Sequence, residues 1–291
     1  MIKREKNMRK NGLLITLLII CLLLFGAYLF YDRTVSDNIP PEITISEGEQ
    51  ILQVSVLDDR QMLLQGVSAQ DDRDGDVTKW ILVESVDQLN DEDQVVVTYA
   101  AFDRSGNVSK AQRTVQYTDY AGPRFTLSQP LVFPHNAWFD VLQVIGAEDA
   151  VDGDIDHRVK ATLLDESSIT NEGIHNVRFR VTNSLGDTEE LVVGVEVYPA
   201  GKYNATLTLN RYIVYLPVGA EFSAKSYLDS FMVYGQTFSL EEGLPENIQL
   251  QLEGIVNTAE PGVYPVSYTV SREWGSQKNV GFSKLIVIVE E

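Results

Sequence analysis

The chain has 291 residues, with 23 Lys and Arg against 42 Asp and Glu, a net charge of −19 and a single cysteine. Such an excess of acid excludes nucleic acid and anionic lipid as direct partners of its polar part, and one cysteine excludes an internal disulfide framework. The three histidines, His135, His157 and His175, share no metal-ligand spacing, and there is no nucleophile elbow, Walker loop or dinucleotide fingerprint, so no enzymatic activity is expected.

The first twelve residues form a basic tail, with Lys3, Arg4, Lys6, Arg9 and Lys10 against Glu5. Residues 13–31 then carry no charge over 19 positions. As a helix rising about 1.5 Å per residue, that run spans roughly 28 Å, the thickness of a bilayer's hydrocarbon core. A transmembrane helix is therefore predicted here, with Tyr28 and Tyr31 at an interface. The bases before it, against Arg33 alone just after it, place the N-terminus in the cytoplasm and the rest outside the cell membrane. A cleaved signal peptide is the alternative, but it has a shorter apolar core and small residues at the cut. Here the apolar run continues through Leu22, Leu23, Leu24 and Phe25, and Phe30-Tyr31-Asp32 follows. Cys21 lies in mid-span, where it serves as a small apolar residue.

Residues 32–42, with Pro40-Pro41, read as a spacer. Beyond the basic tail the chain holds 18 Lys and Arg against 41 Asp and Glu, a net of −23 that attracts cations. An exported part without cysteine is ordinary for a bacterial surface protein.

The exported part repeats itself. Ala69-Gln70-Asp71-Asp72-Arg73-Asp74-Gly75-Asp76 matches Ala147-Glu148-Asp149-Ala150-Val151-Asp152-Gly153-Asp154. Downstream of the first stretch, Val95, Val97, Tyr99 and Ala101 alternate with residues that can face outward and run into Asp103-Arg104-Ser105-Gly106-Asn107. The second copy has Gly173, then His175, Val177, Phe179 and Val181, then Asn183-Ser184-Leu185-Gly186-Asp187. The third has Gly262, then Tyr264, Val266, Tyr268 and Val270, with Trp274-Gly275 at the turn and no Asp-Gly-Asp. Period two marks half-buried strands, and Gly with Asn marks a hairpin turn. A unit of about eighty residues suits a small β-sandwich better than a solenoid repeat.

The pattern A-x-D-x-x-D-G-D, followed by G-x-Y-x-V-x-Y-x-A-x-D-x-x-G-N, resembles the bacterial immunoglobulin-like repeat named after a pesticidal crystal protein, which is related to hyalin-repeat and cadherin-like modules. The first copy departs from it in having Asp93 at the Gly position, the second in having Asn183 for Asp and Asp187 for Asn, and the third in having Arg272 for Asp. The resemblance implies an all-β chain of three tandem Ig-like β-sandwich domains after one N-terminal transmembrane helix, and a role at the bacterial surface. Ala121-Gly122-Pro123 and Pro199-Ala200-Gly201 divide the domains into 43–119, 124–198 and a diverged 203–291.

Two readings of the acidic stretches stay open. Asp71, Asp74, Asp76 and Asp103, and likewise Asp149, Asp152 and Asp154, supply the hard oxygens that calcium requires. The same aspartates also build turns by accepting hydrogen bonds from nearby amides. Among the aromatics, Trp274 in its turn is a candidate sugar-stacking residue, whereas Trp80 and Trp138 are expected in cores. The function expected is surface display for adhesion, with a protein or polysaccharide ligand. The alternative is a structural stalk or assembly subunit of an envelope complex.

Overall fold

The computed structural model describes residues 2–35, 37–46, 51–58, 60–90, 92–165, 168–241, 243–274 and 277–291, without the side chains of 2–13, 32–35 and 274. Helix α1 (Ile2–Val35) contains the stretch Leu14–Tyr31, the one segment among the described residues that is long and apolar enough to cross a membrane. Its apolar side chains are exposed.

After it, the described residues form strands joined by turns and short 3-10 segments. The first sandwich comprises β1 (Glu42–Ile45), β2 (Ile51–Val54), β3 (Val67–Asp71), β4 (Gly75–Asp76), β5 (Leu82–Val86), β6 (Gln94–Phe102) and β7 (Val108–Tyr117), in sheets ordered β1-β3-β4 and β2-β7-β6-β5. The second comprises β8 (Arg124–Leu127), β9 (Val132–Pro134), β10 (Ile145–Asp149), β11 (Gly153–Asp154), β12 (Lys160–Leu163), β13 (Gly173–Thr182) and β14 (Thr188–Tyr198). The third comprises β15 (Thr206–Leu209), β16 (Ile213–Pro217), β17 (Leu228–Val233), β18 (Gln236–Ser239), β19 (Ile248–Glu253), β20 (Gly262–Trp274) and β21 (Gln277–Glu290). Their sheets repeat the first pattern: β11-β10-β8 with β12-β13-β14-β9, and β15-β17-β18 with β16-β21-β20-β19. The chain is thus all-β after its helix, in three Ig-like sandwiches of seven strands.

The alternating strands form the cores, because side chains on a strand point to opposite faces in turn. Val95, Val97, Tyr99 and Ala101 on β6 are each at most 1% exposed. His175, Val177, Phe179 and Val181 are buried on β13, and Val266, Tyr268 and Val270 on β20. Each strand pairs antiparallel with its successor, so the three hairpins expected from the repeat are present. A buried phenol needs an acceptor: Tyr99 donates to the Leu63 carbonyl at 2.6 Å, and Tyr268 to the Ala224 carbonyl at 2.8 Å. Asp93 has φ 56° and Gly173, at the matching place, φ 136°. The first two copies share a positive φ there, which aspartate tolerates better than most residues.

Backbone contacts group the chain into two compact units. One is Met1–Val54, Asp58–Asp87 and Gln94–Gln116; the other is Ser55–Leu57, Gln88–Asp93 and Tyr117–Glu291. The second and third sandwiches therefore share a unit, and β21 shows why. Leu285-Ile286-Val287-Ile288-Val289 is apolar without alternation, the pattern of a strand buried on both faces. Leu285, Val287 and Val289 enter the core of the third sandwich. Ile286, 1% exposed, belongs instead to the core of the second, where Ile288 and Ile213 pack against it.

Polar contacts frame that seam. The Phe125 amide donates to the Tyr215 hydroxyl at 2.7 Å, and the buried Lys284 ammonium donates to Glu196 at 3.0 Å. Arg124 pairs with Glu290. Tyr203 stacks on Phe282 and meets Tyr198 edge-on, with centroids 4.9 and 4.7 Å apart. Replacing a buried isoleucine with alanine costs about 2–5 kcal/mol. Ile286→Ala should therefore raise amide hydrogen exchange in β13 of the second sandwich as well as in β20 of the third. Exchange read by mass spectrometry checks this; a rise confined to the third sandwich would contradict the shared core.

Candidate functional site

The motif Asp-x-x-Asp-Gly-Asp sits on the turn from β3 to β4 and again from β10 to β11, and each aspartate has a separate task. The first caps the turn: Asp71 Oδ1 accepts from the Arg73 and Asp74 amides at 3.0 and 2.8 Å, and Asp149 Oδ1 accepts from the Val151 and Asp152 amides, both at 2.9 Å. The second ties this turn to the following hairpin loop. Asp74 Oδ2 accepts from the Arg104 amide at 2.7 Å, and Asp152 Oδ2 from the Ser184 amide at 2.6 Å. The third opens the next turn, with Asp76 accepting from the Thr78 amide at 2.9 Å and Asp154 from the Asp156 amide at 3.0 Å. Gly75 and Gly153, at φ 73° and 71°, reverse the chain in the left-handed region between them.

These bonds set the acidities. The Asp76 carboxyl lies below the usual carboxylate range because the side chain and amide of Thr78 both donate to it. Burial pushes Asp152 up, but the Ser184 hydroxyl and amide, together with Arg158 at 2.6 Å, outweigh it and hold the group below its ordinary 3.8. Burial likewise opposes a donor set from Asn107, Gly106 and Ser105 at Asp103, and the donors prevail.

The two copies differ at the remaining oxygen of the first aspartate. In the second sandwich Asp149 is 6% exposed, and its Oδ2 accepts from the Asn183 side-chain amide at 3.0 Å. That amide also donates to the Tyr120 hydroxyl at 2.7 Å, which in turn donates to Asp187 at 2.8 Å. Burial, followed by the bond to Asp187, pushes the Tyr120 phenol well above its ordinary value. In the first sandwich the Asn183 position is Asp103 and the Asp187 position is Asn107. Asn107 turns its side-chain amide to Asp103 at 2.6 Å and to the Asp37 carbonyl at 3.1 Å. Asp71, 7% exposed, is left with a fully buried Oδ2 that has no hydrogen-bond partner among the described residues.

Carboxylate oxygens of Asp37, Asp71 and Asp72 lie within 4.8 Å of one another, with Asp37 and Asp71 buried and Asp72 exposed. Of the seven aspartates proposed from sequence as calcium ligands, Asp71 alone belongs to this group. Asp74, Asp76, Asp149, Asp152 and Asp154 are engaged in the turn bonds above, and Asp103 borders the group through Asn107. Asp37 was assigned to the spacer. It is instead 9% exposed, with the Asp37 and Ile39 carbonyls both accepting from Asn107, so this part of the spacer lies against the first sandwich. Local spacing gives no hint of this, because Asp37 and Asp71 are brought together only when β1 pairs with β3.

The aromatic expectations are also revised. Trp80 is half-buried under Lys79 and Arg104, whose charges lie 5.2 and 5.7 Å from its ring, and Trp138 is 79% exposed. Neither is a core residue, since Tyr99 and Phe179 of the long strands already fill those centres. Trp274 pairs with Gln277 at the end of the β20–β21 hairpin; its side chain lies outside the described residues.

In the third sandwich the acidic turn is replaced by the two-residue turn Tyr234-Gly235, between Val233 and Gln236. Both residues have positive φ, 50° and 74°, as a tight hairpin turn of this kind requires. Tyr234 is 70% exposed, and its hydroxyl donates to Gln277 at 2.7 Å. Beside it is a groove of about 520 Å³ lined by Tyr198, Tyr203, Tyr212, Met232, Tyr234 and Phe282.

No family model matches the sequence, so the family resemblance rests on the repeat pattern alone. Over 186 residues the chain is 26% identical to an uncharacterized 81.3 kDa protein of Acholeplasma phage L2; the match takes 61% of this chain and 22% of that protein. The chain therefore spans about a fifth of that relative's length. Among solved structures, Drosophila N-cadherin EC1-3 is matched over 82% of this chain and 97% of its own, at 14% identity and TM-score 0.28. Mouse cadherin-23 EC22-24 is matched over 87% and 99%, at 14% identity and TM-score 0.20. A Clostridium perfringens ZmpB structure holding CBM51-2 in complex with GlcNAc and INT domains is matched over 85% and 44%, at 14% identity and TM-score 0.22.

Two substitutions test the turn assignments. Asn183→Asp removes the donor to Asp149 and sets a second carboxylate against it. It should destabilise the second sandwich by about 1–3 kcal/mol, read as a lower melting temperature. The lowered pKa of Asp152 means its stabilisation is complete above pH 3.8 and is lost as pH falls through the lower folded value. Ser184→Ala should therefore cost about 1 kcal/mol near neutrality, and the gap from wild type should close in acid denaturation below that pH.

Proposed function

We propose that the chain is a membrane-anchored envelope protein that displays Ig-like sandwiches for adhesion, with a protein or polysaccharide ligand and no catalytic role. The apolar stretch Leu14–Tyr31, preceded by five bases, supports a single span with the N-terminus in the cytoplasm. The observation that carries the binding half is the groove beside Tyr234. It gathers four tyrosines, each with an apolar ring and a polar tip, the residue type that supplies contact area at low entropic cost. A strained backbone position that presents a large ring to solvent is unnecessary for folding, since a tight turn accepts Asn or Gly there at lower cost. The histidines support a non-catalytic reading: His175 is buried on its strand against the Asn171 carbonyl, and His135 is held on the Thr170 carbonyl.

A second reading, a structural stalk without its own ligand, is favoured by the core shared between the second and third sandwiches. The two are separated by measuring binding of the full chain, in lipid nanodiscs, to cell-wall polysaccharide and envelope-protein fractions. Saturable binding that Tyr234→Ala weakens about fivefold or more, the loss expected of a central interface tyrosine, supports adhesion through the groove. Absence of binding to every fraction favours the stalk.

A further inference from the structure

We propose that the first sandwich binds one calcium ion through Asp37, Asp71 and Asp72, and that the second has lost the equivalent site by replacing the cation with an amide. Three observations converge. Carboxylate oxygens of the three residues lie within 4.8 Å of one another. Oxygens held by one calcium at about 2.3–2.6 Å can be up to roughly 5 Å apart, so this spacing suits a single ion, whereas magnesium demands shorter and stricter geometry. Asp71 is 7% exposed, and its Oδ2 is fully buried with no hydrogen-bond partner among the described residues, although Oδ1 is engaged by the turn amides. A buried carboxylate oxygen left bare is costly, and a cation is one of the few groups that can satisfy it.

The second sandwich supplies the third observation. There the same oxygen, on Asp149, accepts from the Asn183 amide. At the Asn183 position the first sandwich has Asp103, a carboxylate with no proton to donate at neutral pH. The amide that could have served instead, Asn107, is engaged by Asp103 and the carbonyls of Asp37 and Ile39. The exchange of Asp103 and Asn107 for Asn183 and Asp187 thus moves a donor onto the buried aspartate in one copy and withholds it in the other. Because Asp37 precedes β1, the ion would fasten the segment after the helix to the first sandwich.

The test uses the full chain in detergent micelles, titrated with calcium by calorimetry and melted with calcium or with chelator. One calcium per chain is expected, with a Kd of about 10⁻⁴–10⁻³ M as in extracellular modules, and an upward melting shift of about 4 °C or more at saturating calcium. Asp71→Asn and Asp37→Asn should each weaken binding about tenfold or more. Asp37 is the safer variant, because it lies outside the strands and caps no turn of the motif. Asp149→Asn should leave calcium affinity unchanged, and magnesium should bind at least about tenfold more weakly. Equal melts with calcium and chelator would overturn the proposal. So would wild-type affinity in Asp37→Asn, equal affinity for magnesium, or loss of binding in Asp149→Asn, each of which would place the cation elsewhere or show only diffuse attraction to an acidic surface.

Discussion

Each sandwich must reverse its chain at the rim of the three-stranded sheet without leaving buried amides or carboxylates bare, and the way it does so decides what that rim can do. In the first two copies an aspartate at the strand end folds back on the turn amides. That choice buries a carboxylate, and a buried carboxylate has a second oxygen to satisfy. One copy satisfies it with an asparagine; the other gathers acids around it. The third copy escapes the problem with a two-residue turn, and the same place in the fold then carries an exposed tyrosine. Acid, amide and ring are three outcomes of one structural requirement.

Much of this was legible in the sequence. Alternation in β13 and β20 identified the buried positions because a strand's side-chain period is two and a slip by one would expose them; in β6 it found Val95, Val97, Tyr99 and Ala101 but not Thr98 and Ala100, which are buried as well. The sequence showed Asp93 only as a departure at the Gly173 position; the positive φ that both residues adopt is visible in the structure alone. The acidic turn was legible as a turn because its hydrogen bonds span only two or three residues. The cation group was not, because its members are local in space and distant along the chain, and proximity in sequence favoured Asp74 and Asp76, which serve neighbouring loops. The tryptophans misled for a related reason. Size alone suggested burial, but Trp80 ends a short turn and Trp138 follows a loop turn at Asn136, φ 66°, off the strands that feed the cores.

The seam between the second and third sandwiches was visible as an anomaly in pattern. In residues 285–289 the side chains do not alternate, and in the structure both faces of this strand are covered. Pro199-Ala200-Gly201 lies between strands of different sheets, but the hydrophobic core runs across it: an isoleucine from β21 completes the packing of the sandwich before.

That shared residue limits how the gene for such a protein could be rearranged. A recombination event cutting at the proline-glycine linker would deliver a second sandwich with an open apolar face where Ile286 belongs, and a third with Ile286 and Ile288 facing water. The apparent unit of inheritance, one repeat of about eighty residues, is therefore smaller than the physical unit of folding, and the last two repeats can be duplicated, swapped or lost with least damage as a pair.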